Sequence, residues 1–164
     1  MEFREMRRKR QRLSREESEA VLERNSSGVL AVLGDMEYPY AVPLSYVYFD
    51  NLIYFHCARS GHKLDAITAH DKVSFCVIDK DEVVPEEYTT RYRSVIAFGR
   101  AKIVADDKEI RMAIEKLAQK YAPDDAEDNR NAAIDRDTPR MAIVKIEVEH
   151  LSGKEAIELV KNRG

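Results

Sequence analysis

The sequence contains little cysteine and no long apolar run, and both features exclude classes of protein. Only two cysteines, Cys57 and Cys76, occur among 164 residues, and neither lies in a Cys-x-x-Cys pair, so a disulfide framework is excluded. The longest apolar runs span about five residues, as at Val29–Leu33, whereas a membrane-spanning helix needs about 20. The basic N-terminus is not followed by the apolar stretch of a secretory signal peptide. We therefore expect a cytoplasmic protein without a membrane partner.

The common catalytic motifs are also missing. The sequence has no Gly-x-Ser-x-Gly, no Walker loop, no Gly-x-Gly-x-x-Gly after a strand and no His-Glu-x-x-His. His56, Cys57 and His62 lie close together, but their spacing fits no standard zinc pattern, and adjacent strand residues point to opposite faces. We predict no metal site. Cys57 is more typical of a small buried hydrophobic residue than of a nucleophile.

Charge is distributed unevenly along the chain. Residues 1–15 contain seven basic and two acidic residues, a net charge of +5, which leaves −8 on the remainder because the whole chain carries −3. A basic arm of this kind can bind nucleic acid, or it can be a solvated segment or pack on an acidic partner subunit. Because Phe3 is its only aromatic residue, base stacking has little support. We expect no nucleic-acid partner.

The order of apolar and turn residues predicts a mainly β protein with peripheral helices. Strands are predicted at 28–33, 40–48, 52–57, 72–79, 92–104 and around 144–149. Helices are predicted at 14–25, where Ser14 and Glu17 fit a capping box, at 60–67 with Ser60 as the N-cap, and at 107–121. The segments 81–87 and 123–138 are predicted to be loops, and 152–153 a turn.

The first three strands are joined by short turns, which predicts an antiparallel meander with Asp50 and Asn51 in a two-residue hairpin turn. Pro43 cannot donate a ladder hydrogen bond, so it marks an edge or a bulge, and Gly99 marks a bulge or a barrel corner. About six antiparallel strands suit a small barrel, and an open α+β sheet is the alternative. We predict one domain over residues 1–164, with a basic arm at 1–13 and a C-terminal helix at 154–162.

Two short segments are candidates for ligand contacts. At 60–63 a helix start combines free backbone N–H groups, a glycine that allows close approach, and the side chains of His62 and Lys63, which together suit a phosphate group. The alternative is an ordinary capped helix with solvated side chains. At 92–94, Arg93 lies beside a hydroxyl group, and a surface ion pair is the alternative to a ligand contact.

Five segments, taken together, resemble a flavin-binding family. They are Val42-Pro-Leu-Ser-Tyr-Val-Tyr48, Tyr54-Phe-His-Cys-Ala58, Gly61-His-Lys63, Tyr92-Arg-Ser-Val-Ile-Ala-Phe-Gly-Arg-Ala101 and His150-Leu-Ser-Gly-Lys-Glu155. Their order and spacing are similar to those of the pyridoxamine 5′-phosphate oxidase-like proteins, in the branch of the nitroimidazole-resistance proteins. The resemblance runs from about residue 5 to residue 160. It implies an FMN-binding split β-barrel and a homodimer with the flavin in the groove between subunits.

The resemblance also implies roles for individual residues. The flavin ring and ribityl chain would be lined by Val42, Pro43, Leu44, Ser45 and Tyr46. The cofactor would be bordered by His56, Cys57 and Ala58, and its phosphate would be held by His62 and Lys63. Contacts to the cofactor or the subunit interface would come from Tyr92, Arg93 and Ser94. His56 lies where nitroimidazole-resistance proteins carry a histidine beside the active site, so it is the candidate catalytic residue.

The expected function is that of an FMN-dependent oxidoreductase, with FAD the second choice of cofactor. It would pass electrons from a small-molecule donor to a small acceptor such as a nitroaromatic or a quinone. The substrate-phosphate residues of authentic pyridoxamine phosphate oxidase are not recognisable, which disfavours vitamin B6 oxidation. The alternatives are a non-catalytic flavin-binding or flavin-sensing protein and, third, a nucleic-acid binder without a cofactor.

Overall fold

Seven antiparallel strands form one sheet in the computed structural model, which describes residues 2–160. The strands are β1 (Ser27–Leu33), β2 (Pro39–Ser45), β3 (Val47–Phe49), β4 (Leu52–Ala58), β5 (Lys72–Val84), β6 (Thr89–Ile103) and β7 (Met141–Glu155). Their spatial order is β2-β1-β5-β6-β7-β4-β3. Only Tyr46 separates β2 from β3, so the two outermost strands are neighbours along the chain and the sheet curls into a barrel. The predicted mainly β split barrel is confirmed.

In the described part of the chain, five α-helices lie around this sheet: α1 (Arg15–Arg24), α2 (His62–Ala69), α3 (Asp107–Tyr121), α4 (Glu127–Asp137) and α5 (Ile157–Val160). The predicted capping box of α1 is confirmed, because Ser14 Oγ accepts from the Glu17 N–H and the Glu17 carboxylate accepts from the Ser14 N–H at 2.6 Å. The predicted helix at 107–121 is also confirmed. Within residues 2–160, every helix is too short or too polar to cross a membrane.

The core has two parts. The barrel interior is filled by alternate residues of the strands, since successive side chains of a strand point to opposite faces; they include Leu30, Val32, Phe75, Val77, Val95, Ala97 and Ile146. A second cluster forms where α3 and α4 pack on β3, β4 and β7, and it includes Tyr54, Ile114, Leu117, Ile134 and Ile143. The α3 helix therefore lies against the outside of the barrel beside β4.

Three turn and edge predictions are confirmed. Asp50 and Asn51 have φ angles of 51° and 61°, as a two-residue hairpin requires. Pro43 lies on the edge strand β2 in an uninterrupted register with β1, so it marks an edge and no bulge. The pairing of β6 with β7 shifts register next to Gly99, where a Cβ atom would lie 2.2 Å from the Glu147 carbonyl oxygen.

The predicted antiparallel pairing of the first three strands is present, but the predicted single strand at 40–48 is wrong. The strand divides at Tyr46, where β2 pairs with β1 and β3 pairs with β4. The Tyr121 hydroxyl accepts from the Tyr46 N–H at 2.9 Å and contacts the Tyr46 carbonyl oxygen at 2.8 Å, so a side chain replaces a strand partner at this point. This division accounts for seven strands where about six were predicted.

Two predicted loops are regular structure. The segment 81–87 mostly continues β5, which turns through Pro85–Glu87 into β6. The segment 123–138 holds α4, because Ile134 is buried against α3 and Arg111 donates to Asn131 at 2.8 Å. Pairing with β6 stabilises the strand at 81–84, and packing on α3 stabilises α4, despite the high polarity of both segments.

The predicted turn at 152–153 and the helix start at 154 are also wrong. β7 continues to Glu155, and only Ile157–Val160 is helical, while residues 161 and 162 of the predicted helix lie outside the described part. Gly153 is a close-packing position rather than a turn, since a Cβ atom there would lie 2.2 Å from Ser18 Oγ in α1.

The basic arm is packed on the barrel at both ends of its described part. Phe3 stacks on His150 with ring centroids 4.5 Å apart. The arm then makes a short 3-10 turn at Lys9–Gln11, in which Gln11 is buried, and Arg12 forms an isolated bridge to Lys154 of β7.

Candidate functional site: the split of the barrel

A split in the barrel separates β2 from β4. β2 pairs with β1 along one edge only, whereas β4 pairs with β7 along one edge and with β3 only over Leu52–Tyr54. Within residues 2–160, the outer edge of β2 and that of the second half of β4 have no strand partner. Such edges present N–H and C=O groups that a bound polar molecule can use.

Most of the predicted cofactor-binding residues lie on the two sides of this split. Val42, Pro43, Leu44 and Ser45 are on β2, where Pro43 and Ser45 are exposed and the other two are half-buried. Across the split, His56 and Ala58 are exposed on β4, while Cys57 is half-buried. The topology therefore brings two sequence segments with free edges to one opening.

Tyr46 has a structural role at the end of the split. Its side chain is fully buried, and its hydroxyl donates to the Leu22 carbonyl oxygen at 2.6 Å. Burial raises the pKa of Tyr46 well above its ordinary value. Because Tyr121 holds its backbone groups, both parts of Tyr46 are engaged within the chain, and the residue fixes the end of β2.

The start of α2 lies at the other end of the split, directly after β4. Gly61, with a φ of 139°, is the N-cap, and no side chain caps the helix, so the prediction of Ser60 as N-cap is wrong. The N–H groups of Leu64 and Asp65 donate to the Gly61 carbonyl oxygen. The preceding N–H groups, of His62 and Lys63, are left free in the described part of the chain, as at an uncapped helix start.

His62 and Lys63 are held differently. His62 Nε2 accepts from the Asp35 N–H at 3.0 Å, and its ring stacks on Tyr40 with centroids 4.3 Å apart. The Nε2 atom is therefore engaged by Asp35, whose carboxylate also lies 3.5 Å from it. Lys63 is half-buried and forms no hydrogen bond or ion pair with another described residue. Lys63 is thus the available cation at the start of α2.

Cys57 is an unreactive thiol in this setting. Burial raises the pKa of Cys57, and the positive charge of Lys63 offsets only part of this effect. The thiol is therefore protonated at neutral pH, which supports the prediction that Cys57 is no nucleophile. The influence of Lys63 on Cys57 also indicates that the ammonium group lies near the end of β4.

The predicted residues at 92–94 lie far from the His56 side of the split in their own chain. His56 of β4 pairs with Ile143 of β7, and the next residue of β7, Val144, pairs with Ile103 of β6. Ile103 lies nine residues beyond Ser94 in the same strand. At roughly 3.3 Å per residue, that separation is about 30 Å along the strand. On the other side of the split, β1 and β5 lie between β2 and β6 in the sheet. One chain alone therefore does not bring 92–94 into contact with either side of the split.

Arg93 also has partners within its own chain. Its guanidinium donates to Glu155 at 2.9 Å and to Asp79 at 3.2 Å. Burial alone would raise the pKa of Asp79, but hydrogen bonds from Arg24, Asn25 and Arg93 lower this pKa to about 2. The Glu155 side chain is fully buried, so Arg93 belongs to a half-buried ion-pair network rather than to a simple surface pair.

Sequence reasoning missed Tyr121 and the turn at Asp35. Tyr121 is predicted only as the last apolar position of α3, and no sequence pattern indicates that its hydroxyl reaches the break between β2 and β3. Asp35 is in a predicted turn, but its backbone contact with His62 bridges 27 positions. Both contacts depend on the tertiary structure.

Comparisons with known proteins agree with this architecture. A family model described as pyridoxamine 5′-phosphate oxidase matches residues 14–155, whereas no curated protein sequence matches the chain. A conserved hypothetical protein from Mycobacterium tuberculosis superposes with a TM-score of 0.81 at 18% identity, over 94% of this chain and 92% of that one.

Two further solved structures that are similar to this chain have names that describe a function. A candidate 5-nitroimidazole antibiotic resistance protein from Bacteroides thetaiotaomicron gives a TM-score of 0.75 at 18% identity, covering 88% of this chain and 86% of that one. A FAD-binding protein from Mesorhizobium loti gives a TM-score of 0.60 at 28% identity, covering 88% of this chain and 96% of that one. The fold is therefore one that flavin-binding proteins share.

Proposed function

Because the chain belongs to the pyridoxamine 5′-phosphate oxidase family, we propose that it is an FMN-dependent oxidoreductase that reduces a small acceptor such as a nitroaromatic or a quinone. One observation carries the proposal: two unpaired strand edges meet an uncapped helix start that bears Lys63. When bound, the flavin supplies the electron transfer, and the chain supplies its orientation and surroundings.

The donor groups suit a flavin with one phosphate. The free N–H groups of His62 and Lys63, the positive end of the α2 dipole and the Lys63 ammonium group form an anion site at one end of the split. The edges of β2 and β4 supply hydrogen-bonding groups for the ring system. Among the described residues this is one anion site with one uncommitted cation, Lys63, and we propose FMN, which has a single phosphate, as its cofactor.

His56 is the proposed proton donor. It is exposed on the free edge of β4 and has no hydrogen-bond partner among residues 2–160, so its imidazole is free to contact an acceptor molecule. Imidazole is the commonest general acid or base in enzymes. An acceptor held against the flavin at the split would lie within reach of this side chain.

A second copy of the chain is the proposed partner. The outward face of β1, β5 and β6 carries an apolar patch in which Cys76 pairs with Val29 on one side and Ile96 on the other. Ile78 and Ile96 on this face are 61% and 36% exposed. A sheet face of this kind suits a two-fold dimer, and Ser94 on the same face would then lie at the subunit boundary.

Two measurements test this function. The purified protein should show the visible spectrum of a flavin, and the released cofactor should co-migrate with FMN rather than FAD on chromatography. NADH or NADPH should reduce the bound flavin, and a nitroaromatic or quinone should reoxidise it. A flavin that no donor reduces would indicate the non-catalytic alternative, and a colourless protein that fails to bind added FMN would contradict both.

A further inference from the structure

A small apolar cavity adjoins His56 on the outside of the barrel. Its volume is about 250 Å³, and it lies between α3 and the ends of β2, β4 and β7. Its walls are formed by Ser45, His56, Ile114, Leu117, Ala118, Tyr121 and Met141. The cavity thus places one predicted flavin-lining residue and the proposed proton donor opposite an apolar helix face.

The helix that closes this cavity is fixed at its C-terminal end. The Tyr121 hydroxyl accepts from the Tyr46 N–H at 2.9 Å and donates to the carbonyl oxygen of Tyr46 or of Ser26. Lys120 donates to the Asn25 carbonyl oxygen at 2.6 Å and lies over the Tyr46 ring. These contacts tie α3 to the break between β2 and β3, so the cavity has a rigid wall.

The residues that line the cavity favour an uncharged ligand over a charged one. None of the described lining residues is a lysine, an arginine or a carboxylate. Two cations contact lining residues from outside the cavity. The exposed Arg59 donates through Nε to the Met141 carbonyl oxygen at 3.3 Å, and Lys120 Nζ lies 5.8 Å from the Tyr121 ring centroid. The Tyr121 hydroxyl is already committed, so Ser45 and His56 are the polar groups that a ligand can use.

We propose that this cavity binds the ring of an uncharged single-ring acceptor and holds its reducible group beside His56. The volume is below the roughly 300–1,000 Å³ typical of pockets for drug-sized ligands, which favours one ring over fused rings. When the ring packs on Leu117 and Ala118, its apolar surface is removed from water, which favours binding. This inference rests on the proposed function and narrows its substrate class.

The test is a binding titration that does not depend on turnover. Ligand-observed NMR would measure the affinity of the protein for nitrobenzene and for 4-nitrobenzoate. Each titration would be run on the protein as purified and on the protein saturated with FMN. Ala118→Trp fills the cavity, and Ala118→Leu fills part of it with less risk to folding. Gln119→Trp is the matched control, because residue 119 is exposed on the same helix. Thermal unfolding would establish that each variant is folded.

The wild-type chain and Gln119→Trp should bind nitrobenzene alike and at least about tenfold more tightly than 4-nitrobenzoate. That ratio corresponds to about 1.4 kcal/mol. A folded Ala118→Trp or Ala118→Leu variant should lose about tenfold or more in nitrobenzene affinity while its FMN affinity stays unchanged.

Equal binding by the wild type and both Ala118 variants, tighter binding of 4-nitrobenzoate, or no nitrobenzene binding would overturn the assignment. Competition between FMN and nitrobenzene would also overturn it, since the cavity would then belong to the flavin. If FMN does not bind at all, the proposed function fails, whereas the nitrobenzene titrations still decide what the cavity binds.

Discussion

The hydroxyl group of Tyr121 takes the place of a strand partner for Tyr46. It accepts from the Tyr46 N–H at 2.9 Å and lies 2.8 Å from the carbonyl oxygen of the same residue. At this residue the chain leaves β2 and enters β3, which belong to opposite ends of the sheet order. One side chain from α3 thus satisfies the backbone where the barrel splits.

Tyr121→Phe should destabilise the fold without a change in its strand order. The substitution leaves both backbone groups of Tyr46 without their partner, and an unsatisfied buried group costs about 1–3 kcal/mol. Urea unfolding would measure the loss in the free energy of unfolding. Tyr88→Phe is the matched control, because Tyr88 is 99% exposed, and it should leave stability within about 0.5 kcal/mol.

Arg93→Ala should destabilise the protein far more than the loss of a surface charge. Glu155 is fully buried and Asp79 nearly so, and removing one partner of a buried ion pair costs up to about 3–5 kcal/mol. Asp79 keeps Arg24 and Asn25 as donors in the variant, so the main effect is expected at Glu155. Arg100→Ala removes two exposed ion pairs, with Asp71 and with Glu149, each worth about 0–1 kcal/mol. Similar unfolding free energies for the two variants would contradict the network described around Glu155.

Acid should weaken the fold through Asp79. Its pKa is lowered to about 2 in the folded protein against about 3.9 in an unfolded chain, so its contribution is complete above about pH 4 and is lost as pH falls towards 2. Urea unfolding of the wild type at pH 5 and pH 3 should show this loss. Asp79→Asn, which cannot titrate, should show a smaller difference between the two pH values; an equal difference would contradict the assignment.

His56→Ala should separate cofactor binding from catalysis. If His56 donates a proton, the variant keeps its flavin, and turnover of a quinone or nitroaromatic falls by about 10²–10⁴. His70→Ala is the control, since His70 is exposed at the end of α2. Unchanged turnover would exclude His56 as the proton donor, and loss of flavin would make it a cofactor contact first.

Local patterns were sufficient where neighbouring residues determine the structure. The capping box of Ser14 and Glu17, the Asp50–Asn51 turn, the edge position of Pro43 and the bulge at Gly99 all follow from properties of single residues or adjacent pairs. The resemblance supplied the barrel and located most of the split. Contacts across long sequence separations decide the rest of the structure.

The errors occur where a distant partner overrides the local pattern. Ser152 and Gly153 have a turn-like composition, yet β7 continues through them because α1 packs closely on Gly153. The contact of His62 Nε2 with the Asp35 N–H is likewise one between distant segments, although it leaves the prediction of a phosphate contact at His62 untested. Neither contact could be predicted without the folded arrangement of α1 or of the turn before β2.

The most direct test of the flavin site compares FMN with riboflavin, which lacks only the phosphate. We predict that the wild type binds FMN more tightly than riboflavin and that Lys63→Ala lowers FMN affinity by about 10–150-fold, from a charge-assisted hydrogen bond of about 1.5–3 kcal/mol. Riboflavin affinity should be the same in both proteins, and the exposed control Lys108→Ala should change neither affinity. An unchanged FMN affinity in Lys63→Ala would contradict the assignment of the phosphate to the start of α2.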